Sequence, residues 1–412
     1  MKKILATVYD INPYKGSESG TGWNLVQQIG RYNKVIAITR KNNKENIEKY
    51  IKEFNIDDTN LEFHYFDLPY WMRFWKKGAR GSSLYFYLWQ MLMPIFIKKN
   101  KIVYDILHNL NFHTDAFPTF LWLLKKPLIW GPINHHELIP SEYINKNSNY
   151  YYKDRIKWII KKINWNIDPF LFLSKKKSDL IICGNKSVIK RLNLDTKKTI
   201  IMSQVASSDS QNISDINKLS TKFNIISVGR FVPLKGFDLT VDCFELFYNK
   251  LNNSDRDNVT LTLVGDGPMK KELKKKIEKF NSKDNIYLIE WVTKDELETY
   301  YENSDLFLFP SYEGAGMVVA EALSHSLPII CFDNYGPGEL TNDDCAIQIP
   351  YTNYDQSICD FSNALLKIYE NKDLQASMSE NARKLYLEKY TWDSKGDQLN
   401  VIYNKLSNKG SK

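Results

Sequence analysis

The sequence predicts an α/β protein of two doubly wound parallel-sheet domains, and three observations carry that prediction. Short β-branched and aromatic runs alternate with longer stretches of helical period throughout. The alternation breaks at a polar stretch, 203–221, rich in Ser, Asp and Asn, and then restarts, so that stretch reads as a linker. The chain has 412 residues, 43% hydrophobic and 25% charged, which suits two cores and excludes global disorder.

The strand candidates follow in order. In the first half they are 4–8, 35–39, 61–65, 106–108, 128–130, 180–183 and 199–202. In the second they are 224–228, 259–264, 286–289, 306–309 and 328–332. Between them Leu239, Cys243, Leu246 and Phe247 fall at i, i+4, i+7 and i+8, one face of a helix. The order βαβ in both halves argues parallel sheets, whose ligands lie outside the carboxyl ends of the strands. Functional residues are therefore sought just after each run.

After the first strand comes Gly16-Ser17-Glu18-Ser19-Gly20-Thr21-Gly22-Trp23, leading into an amphipathic run with Leu25, Val26 and Ile29. Glycines there let backbone N–H groups approach a phosphate at a helix N-terminus, or simply make a tight turn. After 224–228 comes Gly229-Arg230-Phe231-Val232-Pro233-Leu234-Lys235-Gly236. Arg230 and Lys235 bracket a turn and either converge on a diphosphate or stand as two solvated cations. Gly265-Asp266-Gly267-Pro268 ends the next strand as a turn or a contact for a base or ribose. In 310–323, Glu313 sits in a Gly-rich turn and Glu321 in an apolar helix, where a buried carboxylate needs partners.

Charge and cysteine usage narrow the class. Residues 1–200 hold 33 Lys+Arg against 17 Asp+Glu, a net +16, and the remainder holds 23 against 31, a net −8. Such asymmetry suggests that the first half faces a polyanion. The run 84–97 is too short to span a bilayer, with Gln90 and Pro94 inside it. Arg73, Lys76, Lys77 and Arg80 precede it, Lys98, Lys99 and Lys101 follow it, and Trp71, Phe74, Trp75 and Trp89 accompany it. The segment 71–101 therefore reads as an interfacial membrane element or as a partly buried helix pair with a solvated basic face. The N-terminal run reads as a first strand rather than a signal peptide. Five cysteines without a CxxC pair exclude a disulfide scaffold and a zinc ribbon and fit a reducing compartment.

Gly229-Arg230…Lys235-Gly236, Gly265-Asp266-Gly267-Pro268, and Glu313-x7-Glu321 within Pro-Ser-x-x-Glu-Gly-x-Gly together resemble the family-4 retaining glycosyltransferases of GT-B fold. The stretch 16–24, Trp130-Gly131-Pro132, Met317-Val318-Val319 and Gly336-Pro337-Gly338 resemble a bacterial polysaccharide-synthesis subgroup. The resemblance implies two Rossmann-like domains facing across a cleft: 1–205 for the acceptor, with a crossing helix of about 388–412, and 206–387 for the donor. It implies that Arg230 and Lys235 bind the donor diphosphate and that Glu321 binds the ribose. Glu313 with Gly314, Ala315 and Gly316 would hold the transferred sugar, and Gly20, Thr21 and Gly22 would approach the diphosphate from the other domain. Gly265, Asp266 and Gly267 would lie against the nucleoside. Family members carry a histidine after the fourth strand of the first domain, for which His108 is the first choice and His113 the second.

The implied reaction is metal-independent, retaining transfer of a sugar from a nucleotide diphosphate sugar, a UDP-sugar being favoured, with no cofactor. The acceptor would be a hydroxyl of a lipid-linked or oligosaccharide acceptor in surface polysaccharide synthesis. The enzyme would be cytoplasmic and peripheral on an anionic inner membrane face, with no nucleic-acid partner. A GT-B epimerase or phosphorylase, or a silent membrane-associated partner of another transferase, are the alternatives. Ser326 replaces the usual Gly before Pro328, Ile289-Glu290-Trp291 replaces Phe-x-Gly, and Ile133-Asn134-His135-His136-Glu137 replaces a glycine-rich loop. His135, His136 and Glu137 point apart as neighbours must and read as no metal site. Asp255-Arg256-Asp257 lies in a polar loop and reads as surface.

Overall fold

The structure, a computed structural model, describes residues 1–78, 80–111, 113–210 and 222–409. Residues 211–221 of the expected linker lie outside the described residues. Among the described residues the chain divides into two compact units. One comprises 1–135, 158–204 and 392 onward, and the other comprises 136–157 and 205–391.

The first unit carries β1 (Lys3–Val8), β2 (Lys34–Thr39), β3 (Leu61–Tyr65), β4 (Ile106–Asn111), β5 (Leu128–Ile133), β6 (Leu180–Cys183) and β7 (Thr199–Ile201). They pair in parallel in the order β3-β2-β1-β4-β5-β6-β7, so the topological switch falls between β1 and β4. Both faces of the sheet are covered, which is why β1 is almost wholly apolar. Its alternate residues Ile4, Ala6 and Val8 pack with Trp23, Val26 and Ile29 of helix Ser17–Gly30 and with Leu399 and Tyr403 of helix Trp392–Lys409. Leu5 faces the opposite layer, where Tyr85, Phe86, Trp89 and Met93 of helix Ser82–Lys99 pack.

That second layer decides how the apolar run 84–97 is used. Helix Ser82–Lys99 buries Tyr85, Phe86, Trp89, Gln90, Met93, Pro94 and Ile97, and the Trp89 indole donates to the Phe66 carbonyl at 3.0 Å. The run is thus a core helix along most of its face. What stays exposed is Leu84 and Ile95 within it, with Tyr70, Trp71 and Phe74 just before it.

The second unit carries β8 (Phe223–Val228), β9 (Val259–Val264), β10 (Ile286–Ile289), β11 (Leu306–Phe309), β12 (Ile329–Phe332) and β13 (Ala346–Ile349). The order is β10-β9-β8-β11-β12-β13, all parallel, with the switch between β8 and β11. Helices Phe237–Lys250 and Tyr354–Glu370 pack on one face through Phe244, Phe247, Phe361 and Leu365. Helices Met317–Ser324 and Lys372–Lys389 pack on the other through Val319, Leu323, Ala382 and Tyr386.

Residues 136–157, read from the sequence as part of the first domain, group with the second unit. Tyr143 explains this. Its ring lies 5.4–5.6 Å from those of Tyr312, Phe332 and Tyr351, and its hydroxyl meets Ser357 Oγ at 2.8 Å and accepts from the Thr352 N–H.

Candidate functional site

In a doubly wound sheet the strands diverge at the switch point and leave a crevice at their carboxyl ends. The second unit gathers charge there. Beyond β8 the chain turns through Arg230 and a short 3-10 turn, Pro233–Lys235, before helix Phe237–Lys250. Beyond β11 it turns through Tyr312, Glu313 and Gly314 before helix Met317–Ser324. The two turns are tied together: the Tyr312 N–H donates to the Leu234 carbonyl at 2.9 Å, and Ser311 Oγ donates to the same oxygen at 3.2 Å.

That tie brings two predicted residues into contact. Lys235 Nζ donates to both oxygens of Glu313, at 2.7 and 2.8 Å, with each side chain 16% exposed. The ammonium also lies 5.0 Å from the Phe309 ring centroid. Arg230 is exposed and makes no ion pair with any described residue. Its charge is felt by Tyr150, whose phenol burial pushes up and Arg230 pulls back. So the crevice holds one cation already paired and another free to turn toward an anion.

Glu321 sits just over one turn into its helix. Burial is the main influence and pushes its carboxyl above the usual range, although part of the side chain reaches the surface. The Tyr301 hydroxyl, 3.1 Å from Oε2, and the nearby Lys294 and Lys235 charges pull the other way. A carboxyl held this way is a ready acceptor for hydroxyl donors. Tyr301 gave no sequence signal, since it is one of two adjacent tyrosines at the end of a charged helix.

The glycine-containing turns close the crevice. Gly265 has φ +151°, and a Cβ there would stand 1.9 Å from the Gly229 carbonyl oxygen. The ends of β8 and β9 therefore approach more closely than a side chain allows. Asp266 is exposed and lies 3.9 Å from Lys270, while its carbonyl accepts from the Phe231 N–H at 3.0 Å. Gly267 follows in the same turn. Gly314, Ala315 and Gly316 lead into helix Met317–Ser324, whose N-cap Gly316 brings no side-chain acceptor to the first turn. Beyond β12, a Cβ on Gly336 would lie 1.8 Å from the Glu313 carbonyl oxygen. The Asn334 side chain holds that turn, donating to the Ser311 carbonyl at 2.8 Å and accepting from Gly336 N–H at 3.0 Å. Asn334 was missed because its role is visible only once two distant turns meet.

The switch point of the first unit holds the other candidates. Helix Ser17–Gly30 starts earlier than the glycine pattern suggests, so Gly20, Thr21 and Gly22 are buried helical residues rather than a loop. The Gly20 N–H is already donated to the Gly16 carbonyl. Glu18 in the first turn is pushed up to about 7 by burial, and it accepts the His113 N–H at 2.6 Å.

The two histidines differ sharply. His108 is fully buried, with Nδ1 2.7 Å from the Tyr403 hydroxyl and Nε2 2.7 Å from the Gly131 carbonyl. Both ring nitrogens are spent inside the core, so the first choice is corrected: His108 braces β4 against the C-terminal helix. His113 places Nδ1 2.9 Å from the Pro132 carbonyl, and its Nε2 is buried without a partner among the described residues. A carbonyl at Nδ1 needs the proton there and leaves the Nε2 lone pair as acceptor. Burial holds His113 down to about 4, so it is neutral near pH 7. The Gly131-Pro132 carbonyls thus orient both rings. His135 is occupied with Lys161 and stacks on Trp158.

Comparison with known proteins adds a family match over part of the chain. Residues 208–385, which include this crevice, match the family described as glycosyl transferases group 1. The chain carries a glycosyl transferases group 1 domain. It is 29% identical over 244 residues to an uncharacterized glycosyltransferase of Methanocaldococcus jannaschii, covering 58% of this chain and 63% of that protein. It is 26% identical over 237 residues to the poly(ribitol-phosphate) alpha-N-acetylglucosaminyltransferase of Staphylococcus aureus, covering 53% of this chain and 45% of that one. The matches thus span about half the length of these relatives. Among solved structures, Anabaena HepE in complex with UDP and glucose superposes with a TM-score of 0.61 at 15% identity, over 98% of this chain and 100% of that chain. The fold is therefore that of GT-B proteins, two parallel-sheet Rossmann-like domains, and the group 1 domain lies in the second of them.

Proposed function

We propose that the protein is a retaining glycosyltransferase that moves a sugar from a nucleotide diphosphate donor, a UDP-sugar being favoured, to a hydroxyl of a glycan acceptor in polysaccharide biosynthesis. The observation that carries this reading is the Lys235–Glu313 pair at the β8/β11 switch point, flanked by Arg230 and Glu321. A diphosphate leaving group develops negative charge, and preorganised cations and helix N-terminal amides are the groups that stabilise it. Lys235, Arg230 and the first turn of helix Met317–Ser324 supply these without a metal ion or cofactor. Each charge-assisted hydrogen bond to the diphosphate contributes about 1.5–3 kcal/mol.

In this reading Glu321 accepts from ribose hydroxyls, and Glu313 with the backbone of 314–316 holds the transferred sugar. Gly265–Gly267 lies against the nucleoside. Of the two histidines, His113 takes the role beside the reacting carbon, where its neutral Nε2 accepts from a sugar hydroxyl. No side chain is assigned as nucleophile, and retention follows from attack on the face from which the diphosphate departs. Support for the nucleotide comes from the UDP bound by HepE, and support for a polymeric acceptor from the staphylococcal relative's name. The acceptor is proposed to be lipid-linked and met at the cytoplasmic membrane face, in keeping with the net +16 of residues 1–200.

Titration calorimetry with a panel of nucleotide sugars tests the donor assignment. At least one nucleotide diphosphate sugar should bind and be competed by its free nucleoside diphosphate. A folded protein that binds none of them would overturn the reading.

A further inference from the structure

Helix Asn149–Ile167 has two unlike faces, and the unexpected one is turned outward. Inward it sets Trp165, fully enclosed apart from a 7% remnant, and the Trp158 ring 5.1 Å away in an edge contact. Outward it sets Tyr152, Ile156, Ile159, Ile160, Ile163 and Ile167, each 49–72% exposed. At about 100° per residue these six fall within an arc of roughly 100°. Exposed single hydrophobics are ordinary, but an unbroken stripe of five isoleucines and a tyrosine along one helix is an interaction surface.

The charges beside the stripe say what it meets. Lys153 and Lys157 border it on one side and Lys162 on the other, all three exposed. The one acid of the helix, Asp154, is 12% exposed at its side chain and paired to Arg155 at 3.4 Å, away from the stripe. An apolar protein partner would be served equally by acidic or mixed borders. Lysines on both borders with no exposed acid fit a surface that is apolar beneath and anionic at the rim, which is a bilayer with acidic headgroups. Among the described residues no helix is long and apolar enough to cross a membrane, so contact with a bilayer would place this helix in the interface plane.

We infer that helix Asn149–Ile167 is the element that seats the protein on an anionic membrane, its isoleucine stripe in the acyl boundary and its lysines among the headgroups. The inference goes beyond the proposed transfer reaction and does not depend on it, since adsorption is read without donor or acceptor. It departs from the interfacial reading of the segment 71–101, whose helix Ser82–Lys99 spends most of its apolar face on the core.

Co-sedimentation with phosphatidylcholine vesicles, with and without phosphatidylglycerol, tests it using the full chain. The wild type should partition onto the anionic vesicles and be released by high salt. The triple variant Ile159→Ser/Ile160→Ser/Ile163→Ser should bind at least about tenfold more weakly. The variant Lys153→Glu/Lys157→Glu/Lys162→Glu should lose the preference for phosphatidylglycerol. All substituted side chains are exposed, so unchanged thermal melts serve as the folding control. Wild-type protein that ignores anionic vesicles, or a serine variant that binds as the wild type does, overturns the inference. A dimer in solution that the serine substitutions dissociate, without vesicle binding, also overturns it and gives the stripe to a second copy.

Discussion

Lys235 and Glu313 are 78 positions apart in the chain and meet in a two-oxygen contact. Each could be found in the sequence because each sits in a short motif directly after a strand, where a doubly wound sheet must place its ligands. The histidines could not be ranked that way. What disqualifies His108 is the hydroxyl of Tyr403, 295 residues distant, which takes its second nitrogen. Removing that ring strands the Tyr403 hydroxyl and the Gly131 carbonyl, and a buried unpaired group costs about 1–3 kcal/mol. His108→Ala should therefore lower the thermal midpoint clearly. His113→Ala strands only the Pro132 carbonyl, so it should lower the melt less than His108→Ala while lowering kcat on the order of 10², as loss of one preorganised polar contact does. Melting curves and nucleotide-release rates on the pair check this, and the opposite assignment of the two losses would contradict it.

At the scale of elements, the strands written in the sequence are largely those of the structure, because a parallel strand covered on both faces is a short apolar run with little ambiguity. β13 was not anticipated: its Gln348 interrupts a four-residue strand, and Gln348 Nε2 donates to the Gly338 carbonyl. The apolar run 84–97 could read as an interfacial element or as a partly buried helix, since the partners that settle it, in β1, β2, β4 and the 66–68 stretch, lie elsewhere in the chain. The 136–157 segment shows the same limit, because only three-dimensional packing assigns Tyr143 to the second unit. Tyr143→Ala should cost about 3–5 kcal/mol in chemical denaturation of that unit, the range for truncating a buried aromatic. A loss within about 0.5 kcal/mol, as for an exposed site, would contradict the packing.

Helix Ser17–Gly30 makes a prediction in pH. A carboxylate in a first helical turn is ordinarily favoured by the helix dipole, yet burial pushes Glu18 from 4.5 up to about 7. The fold thus prefers the protonated side chain. Its stabilising contribution is complete below the ordinary carboxyl value and is lost as pH rises through about 7. Glu18→Gln keeps an acceptor oxygen for the His113 N–H and removes the titration. Its thermal midpoint relative to wild type should rise steadily between about pH 5 and pH 8. A difference that stays flat over that interval would show that Glu18 is not held in this way.

Over the whole molecule, the small net charge of +8 conceals opposite signs: a basic first half and an acidic second half. The cations assigned to the donor sit in the acidic half, so they act locally against the sign of their surroundings. In the proposed function, bulk charge serves encounter with an anionic surface, whereas the reaction depends on a few groups at one switch point. The measurement that tests this most directly is the turnover of Lys235→Ala at saturating donor, followed by release of the nucleoside diphosphate. The account predicts a fall in kcat on the order of 10²–10³ with the fold intact by melting. Turnover close to that of the wild type would contradict it, because the leaving diphosphate would then be stabilised somewhere other than the Lys235–Glu313 crevice.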